Sequence, residues 1–191
     1  NRPTILYVGR IEPLKGLDIL VRALALMEDE GRTRLVVVGG SARTDRHMER
    51  LKCLARRLGV AERVTFTGPL PQRDLPAYYN AADVFVLPSH YESFGLVALE
   101  AMACGTPVVA SRVGGLPTFI SDGRDGYLVP WRCPEPFAQR LDMLMANDPL
   151  REALGKAARA KAARMGWGVV AERLLALYAG LNDRVREFAA G

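Results

Sequence analysis

The chain has 191 residues, 49% hydrophobic and 25% charged, which is the size and balance of one globular domain and excludes disordered and fibrous classes. Its net charge of +5 comes from 26 basic and 21 acidic residues, and no apolar run reaches the ~20 residues needed to span a bilayer. Cys53, Cys104 and Cys133 are odd in number and widely spaced, neither a disulfide framework nor a zinc signature; they read as reduced thiols. Reduced thiols make the expected location cytoplasmic, and no basic-then-apolar signal segment is read before "TILYVG".

In chain order, short β-rich runs alternate with longer helical patterns. "TILYVG" (4–9), "RLVVVGG" (34–40), "RVTFTG" (63–68), "DVFVLPS" (83–89) and "TPVVASRVGG" (106–115) read as buried strands, most of them closing on Gly or Ser. Helices are expected between them over about 16–30, 44–58, 74–81 and 95–104. In the first, Leu17, Leu20, Val21 and Leu24 line one face at helical spacing. "DGRDGYLVP" reads as a turn into a short sixth strand. From about 134 to 188 the pattern is helical, broken at Asp148-Pro149 and Gly166-Trp167.

This alternation predicts an α/β fold over residues 1–191: a doubly wound, Rossmann-like parallel sheet of about six strands, covered on both faces, with extra C-terminal helices. Ligands of such sheets sit at the carboxyl ends of the strands, near a topological switch point. The loops to inspect are therefore 9–16, 39–44, 68–74, 88–95 and 111–117.

Much of the positive charge lies in "RTDRHMERLKCLARRLG" and "LREALGKAARAKAARMGWG". Basic residues there alternate with Ala and Leu, and few aromatics intervene, as on solvated helix faces. A membrane surface or nucleic acid is the other reading. "YYNAADVF" reads as core and turn, and His47 as solvated. Trp167, Leu174, Leu175, Leu177 and Tyr178 form an apolar stripe on the last helix, by default ordinary core.

Two loops hold residues that bear on chemistry. In "GRIEPLKG", Gly9 permits a tight turn, and Arg10 and Lys15 stand before a helix whose positive dipole end disfavours them. An anion between these cations and the helix would explain them; Asp18 in the first turn offsets part of the same cost. In "PSHYESFG", the N–H groups of Phe94, Gly95 and Leu96 belong to the unsatisfied donors of a helix start, and Gly95 leaves room for a phosphate. Glu100 lies about five residues into that helix, ~7–8 Å along it, and leans back toward its start. A ribose diol meeting its two oxygens fits. Glu92, beyond the phosphate, faces a second sugar. The plainer reading makes Ser93 a cap and Glu100 a solvated acid. His90 is either a phosphate contact or a polar surface residue. No cluster has metal-ligand spacing, and no Asp-x-Asp pair is present.

The pattern "VGR-x4-KG", "LVVVGG", "VTFTG-x-L", "PSHYESFGLVALEAMACGTPVVASRVGG" and "DGRDGYLV" resembles the C-terminal, donor-binding half of retaining GT-B glycosyltransferases (glycosyl transferases group 1). Within that group it looks closest to mycothiol-pathway N-acetylglucosaminyltransferases and sucrose-phosphate synthases. The resemblance covers about residues 4–180.

It implies a donor domain for a nucleotide sugar, UDP-linked first among the options, with hexosyl or N-acetylhexosaminyl transfer to an unknown acceptor. Arg10 and Lys15 match the pair that neutralises the diphosphate, and with Glu92, which meets the transferred sugar, they are the catalytic candidates. Ser93 and the amides of Phe94, Gly95 and Leu96 match the phosphate and sugar contacts, and Glu100 the ribose acid. Leu70 matches the position that reads the base edge, with Gly9, Gly39 and Gly40 lining the pocket. No metal and no cofactor are expected. Many members carry Glu where this chain has Thr118. The resemblance also implies an N-terminal acceptor domain outside this chain, no nucleic-acid partner, a peripheral membrane contact of the full-length enzyme as an option, and an isolated chain that transfers nothing. A sugar-nucleotide epimerase, a phosphorylase or a non-catalytic nucleotide-binding module remain the alternatives.

Overall fold

The computed structural model describes residues 2–40, 45–130 and 132–189. Six strands form one sheet: β1 (Thr4–Val8), β2 (Arg34–Val38), β3 (Val64–Gly68), β4 (Val84–Leu87), β5 (Val108–Ser111) and β6 (Tyr127–Val129). Their order is β3-β2-β1-β4-β5-β6, and every neighbouring pair is parallel. The chain runs outward from β1 to β3, then crosses back to the other side of β1 for β4. The switch point therefore lies between β1 and β4. Every residue of β1, β4 and β5 is buried, which is why those runs, apart from Thr4 and Ser111 at their ends, are apolar without alternation.

The helices are α1 (Leu17–Leu26), α2 (Asp45–Arg57), α3 (Leu75–Ala81), α4 (Leu96–Ala103), α5 (Leu116–Phe119), α6 (Pro134–Met145), α7 (Asp148–Ala162) and α8 (Trp167–Ala189). One group packs α1 against α2 and α6, and another packs α4 against α3 and α7. At the α6–α7 break, Pro149 occupies the first turn, and the Asn147 side chain accepts from the Leu150 amide at 3.0 Å. That is an ordinary N-cap.

Two expectations change, and one falls partly outside the described residues. The helix expected over 16–30 stops at Leu26, because Met27 turns extended and the Asp142 carboxylate takes the Glu28 amide at 3.1 Å. Asp29 then binds the amides of Gly31 and Thr33, so its side chain competes with the helix for backbone donors. The strand expected over 106–115 is shorter, ending at Ser111, and its tail feeds the one-turn α5. Of the loop expected over 39–44, residues 41–44 lie outside the described residues, as does the first residue of the helix expected over 44–58.

No helix among the described residues is long and apolar enough to cross a membrane. The apolar stripe of the last helix, read as core, is not part of the core of this domain. From Trp167 to Leu181 none of its residues is buried, and Trp167, Leu175 and Tyr178 are 77%, 69% and 60% exposed.

Candidate functional site

The loops after β1 and β4 meet at the switch point. The first contains one 3-10 turn, Pro13–Lys15, ending at Gly16, which caps α1 in the left-handed region. The second leads from Pro88 into α4. The His90 amide donates to the Leu14 carbonyl at 2.8 Å, joining the two loops through their backbones. A third loop, after β5, backs the second: the Gly115 amide donates to the Glu92 carbonyl at 3.2 Å.

Between the first two loops lies a cleft of about 300 Å³. Gly9, Arg10 and Lys15 line one side; Glu92, Ser93, Phe94, Gly95 and Leu96 line the other. Lys15 Nζ stands 2.7 Å from Glu92 Oε2, and both side chains are largely buried, 17% and 12% exposed. Ser89, fully buried, also points its hydroxyl at Glu92 Oε2, at 3.3 Å. Arg10 behaves differently. Its side chain is 74% exposed and pairs with Glu12 at 2.9 Å, and a surface pair of that kind is worth only ~0–1 kcal/mol. Its backbone is held more firmly, since the Arg10 carbonyl accepts from the Tyr7 hydroxyl at 2.8 Å. Burial, with the Glu92 and Glu12 carboxylates adding to it, raises the Tyr7 phenol far above its ordinary range, so it stays a donor.

The N-cap of α4 is Gly95, at φ 95°, with no side-chain cap bond. Ser93 is exposed and does not cap the helix. The capping reading of this stretch therefore fails for Ser93. Among the described residues, no carbonyl or side chain accepts from the amides of Phe94, Gly95 or Leu96. The reason for Gly95 is not the one the sequence suggested. A Cβ there would lie 2.5 Å from the buried Leu116 Cδ2 and 3.3 Å from Glu92 Cγ, so protein, not open space, fills that direction, and φ already demands glycine. Phe94 stacks on Phe119 with centroids 5.0 Å apart, tying the loop to α5.

Glu100 is half-buried and outside the lining of the cleft, one and a half turns along α4. Its Oε2 accepts from the Tyr79 hydroxyl at 2.9 Å, so it is not a freely solvated acid. Gly39 abuts the Gly9 carbonyl, and Gly40 lies against Ile11; they adjoin the cleft through the loop after β1. Leu70, partly buried just beyond β3, packs on the core and does not line the cleft. His90 and His47 line a neighbouring cleft with Arg50, on the other side of the loop after β1. His47, expected to be solvated, is half-buried there. The Thr118 hydroxyl is spent on the Gly115 carbonyl at 2.6 Å within its own helical turn.

Sequence reasoning missed Ser89, Glu12 and Tyr79 as partners of the candidate side chains. Ser89 and Glu12 lie inside the loops it selected. Tyr79 lies 21 residues before Glu100, and no spacing ties the two. Among the described residues, no three of His, Cys, Asp and Glu gather as a metal site would require.

Residues 1–161 match the family described as glycosyl transferases group 1. The chain belongs to that family. As a group 1 glycosyl transferase sequence it is 47% identical, over 98% of its length, to the D-inositol 3-phosphate glycosyltransferase of Thermomonospora curvata, of which it covers 45%. Among solved structures it is similar to sucrose-phosphate synthase from Thermosynechococcus elongatus, with a TM-score of 0.87, 37% identity, and coverage of all of this chain and 47% of that one. It is also similar to Anabaena HepE in complex with UDP and glucose, with a TM-score of 0.86, 27% identity, and coverage of 94% and 48%. The chain thus spans under half the length of these relatives. The α/β sheet matches that of the GT-B neighbours, as the motifs implied.

Proposed function

We propose that this chain is the nucleotide-sugar-binding domain of a retaining glycosyltransferase, moving a hexosyl or N-acetylhexosaminyl group from an NDP-sugar to an acceptor held by another domain. The observation that carries this is the cleft itself. Lys15 of the loop after β1 and the unengaged amides at the start of α4 line one space at the switch point of a group 1 chain. Fixed cations and helix amides are what a diphosphate leaving group requires as charge develops on it. Arg10, whose surface pair is weak, has little to give up in turning toward the phosphates. Glu92 meets hydroxyls of the transferred sugar, Glu100 the ribose diol, and Leu70, Gly39 and Gly40 border the base.

UDP is the nucleotide we favour, because the similar HepE structure holds it. Cationic side chains and helix amides can neutralise the diphosphate themselves, so binding needs no divalent ion. An N-terminal acceptor domain completes the enzyme: the relatives are about twice this length, and the exposed apolar residues of α8 suit such a neighbour. Three free cysteines agree with a cytoplasmic enzyme.

The test is calorimetry with UDP, GDP and ADP and their glucose conjugates, each with and without chelator. One nucleotide diphosphate binding in the micromolar range or tighter, unaffected by chelator, is expected. No binding by any of them would end the proposal, and a large loss on chelation would end its metal-free part.

A further inference from the structure

We infer that Tyr79 is a positioning residue for Glu100, and that through it the site prefers a ribonucleotide to the 2′-deoxy counterpart. The inference rests on the donor-site reading above and adds a residue that the sequence assigned only to core and turn.

Tyr79 is held at both ends. Its side chain is 1% exposed, and its ring meets Phe85 edge-on, with centroids 5.7 Å apart and planes at 66°. Its carbonyl accepts from the buried Thr106 hydroxyl at 2.7 Å. A ring fixed in this way delivers its hydroxyl to one point, and that point is Glu100 Oε2, at 2.9 Å. Burial, then the Glu100 carboxylate, raises the phenol far above its ordinary range, so it stays a donor.

A carboxylate is an acceptor with two oxygens. The protein engages Oε2, while among the described residues no side chain or amide donates to Oε1. Glu is a flexible side chain, and a free one loses rotamer freedom when a ligand fixes it. Here that ordering is completed in the folded protein, before any nucleotide arrives, which is how preorganisation raises affinity. The benefit reaches only a ligand that uses Glu100. It should therefore appear as discrimination between a diol and a single hydroxyl, with no general gain in binding.

The experiment compares UDP with 2′-deoxy-UDP by calorimetry, on this chain and its Tyr79→Phe and Glu100→Ala variants; GDP and ADP pairs replace them if either binds tighter. Tyr79→Phe removes one oxygen and keeps the ring against Phe85, and unchanged affinity for 2′,3′-dideoxy-UDP, which has no ribose hydroxyl for Glu100, reports an intact fold. The parent should favour UDP by about tenfold, the value of one charge-assisted hydrogen bond. Tyr79→Phe should narrow the preference to about two- to threefold, and Glu100→Ala should abolish it. A full preference in Tyr79→Phe, with none in Glu100→Ala, would overturn the role of Tyr79 and leave the donor site standing. Weakening of 2′,3′-dideoxy-UDP as much as of UDP by Tyr79→Phe would show a structural residue only. Unchanged UDP binding in Glu100→Ala, or no nucleotide bound at all, would remove the donor-site reading and this inference with it.

Discussion

Lys15 and Glu92, 77 residues apart in sequence, form an ion pair of 2.7 Å across the mouth of the cleft. It joins the loop after β1 to the loop after β4, on either side of the switch point. A cation proposed for the phosphates is thus paired with the acid proposed for the sugar. The two roles are coupled.

That coupling changes what removing Glu92 does. Glu92→Gln takes a negative charge away from the diphosphate site and releases Lys15 toward it. Free UDP should bind tighter, by about threefold or more, given ~1 kcal/mol of relieved repulsion at an effective dielectric of about 20 or above. UDP-glucose should gain less, because its sugar loses an acceptor. Calorimetry with both ligands checks this, and weaker UDP binding by the variant would contradict it.

Removing Lys15 should act on the fold as well as on the ligand. Lys15→Ala leaves the Glu92 carboxylate largely buried without its counter-ion, which costs stability, about 1–3 kcal/mol for a pair that keeps some solvent contact. The double variant Lys15→Ala, Glu92→Ala should be more stable than Lys15→Ala alone. Urea unfolding of the four proteins measures the coupling. Additive losses would mean that the pair is formed only weakly in solution.

Acid should attack the far side of the sheet first. At Asp29, burial opposes ionisation, but the donors of Thr33, the Arg63 guanidinium and the Gly31 amide outweigh it and hold the carboxyl below its usual range. A depressed folded value means stability that is present above the ordinary Asp pKa of about 3.9 and lost as pH falls through the folded value. Asp142 works in the opposite sense: burial raises it, so its protonation in acid is not a loss to the folded state. Asp29→Asn should be destabilised at pH 7 by about 1–3 kcal/mol, and the gap should shrink below pH 4. Thermal unfolding between pH 2.5 and 7 shows whether the two curves converge. A gap constant with pH would sink this account.

The last helix should be dispensable to this domain. With no buried residue from Trp167 to Leu181, the paired change Leu175→Glu, Tyr178→Glu should leave the unfolding midpoint within a few degrees. The same change should abolish association with a separately produced N-terminal half of the enzyme, read by size-exclusion chromatography. A large fall in the midpoint would show instead that α8 packs on this domain.

By itself the sequence determined the sheet, its strand-to-helix rhythm and the two loops that matter. β1, β4 and β5 are buried on both faces, so they are apolar apart from Thr4 and Ser111 at their ends, and such runs are readable without any partner. The helix breaks at Asn147–Pro149 and Gly166 are equally local, because a cap or an extended residue acts within one turn. What only the tertiary structure decided are relations between distant segments. Lys15 with Glu92, and Tyr79 with Glu100, meet because β1 and β4 are neighbours and α3 packs on α4. No periodicity encodes a contact across 77 or 21 residues. The end of α1 at Leu26 and the need for glycine at position 95 have the same origin. Asp142 captures the Glu28 amide from another helix, and Leu116 fills the space beside Gly95. Burial pattern is a property of the chain, whereas an ion pair or a close approach is a property of the packing that brings its two halves together.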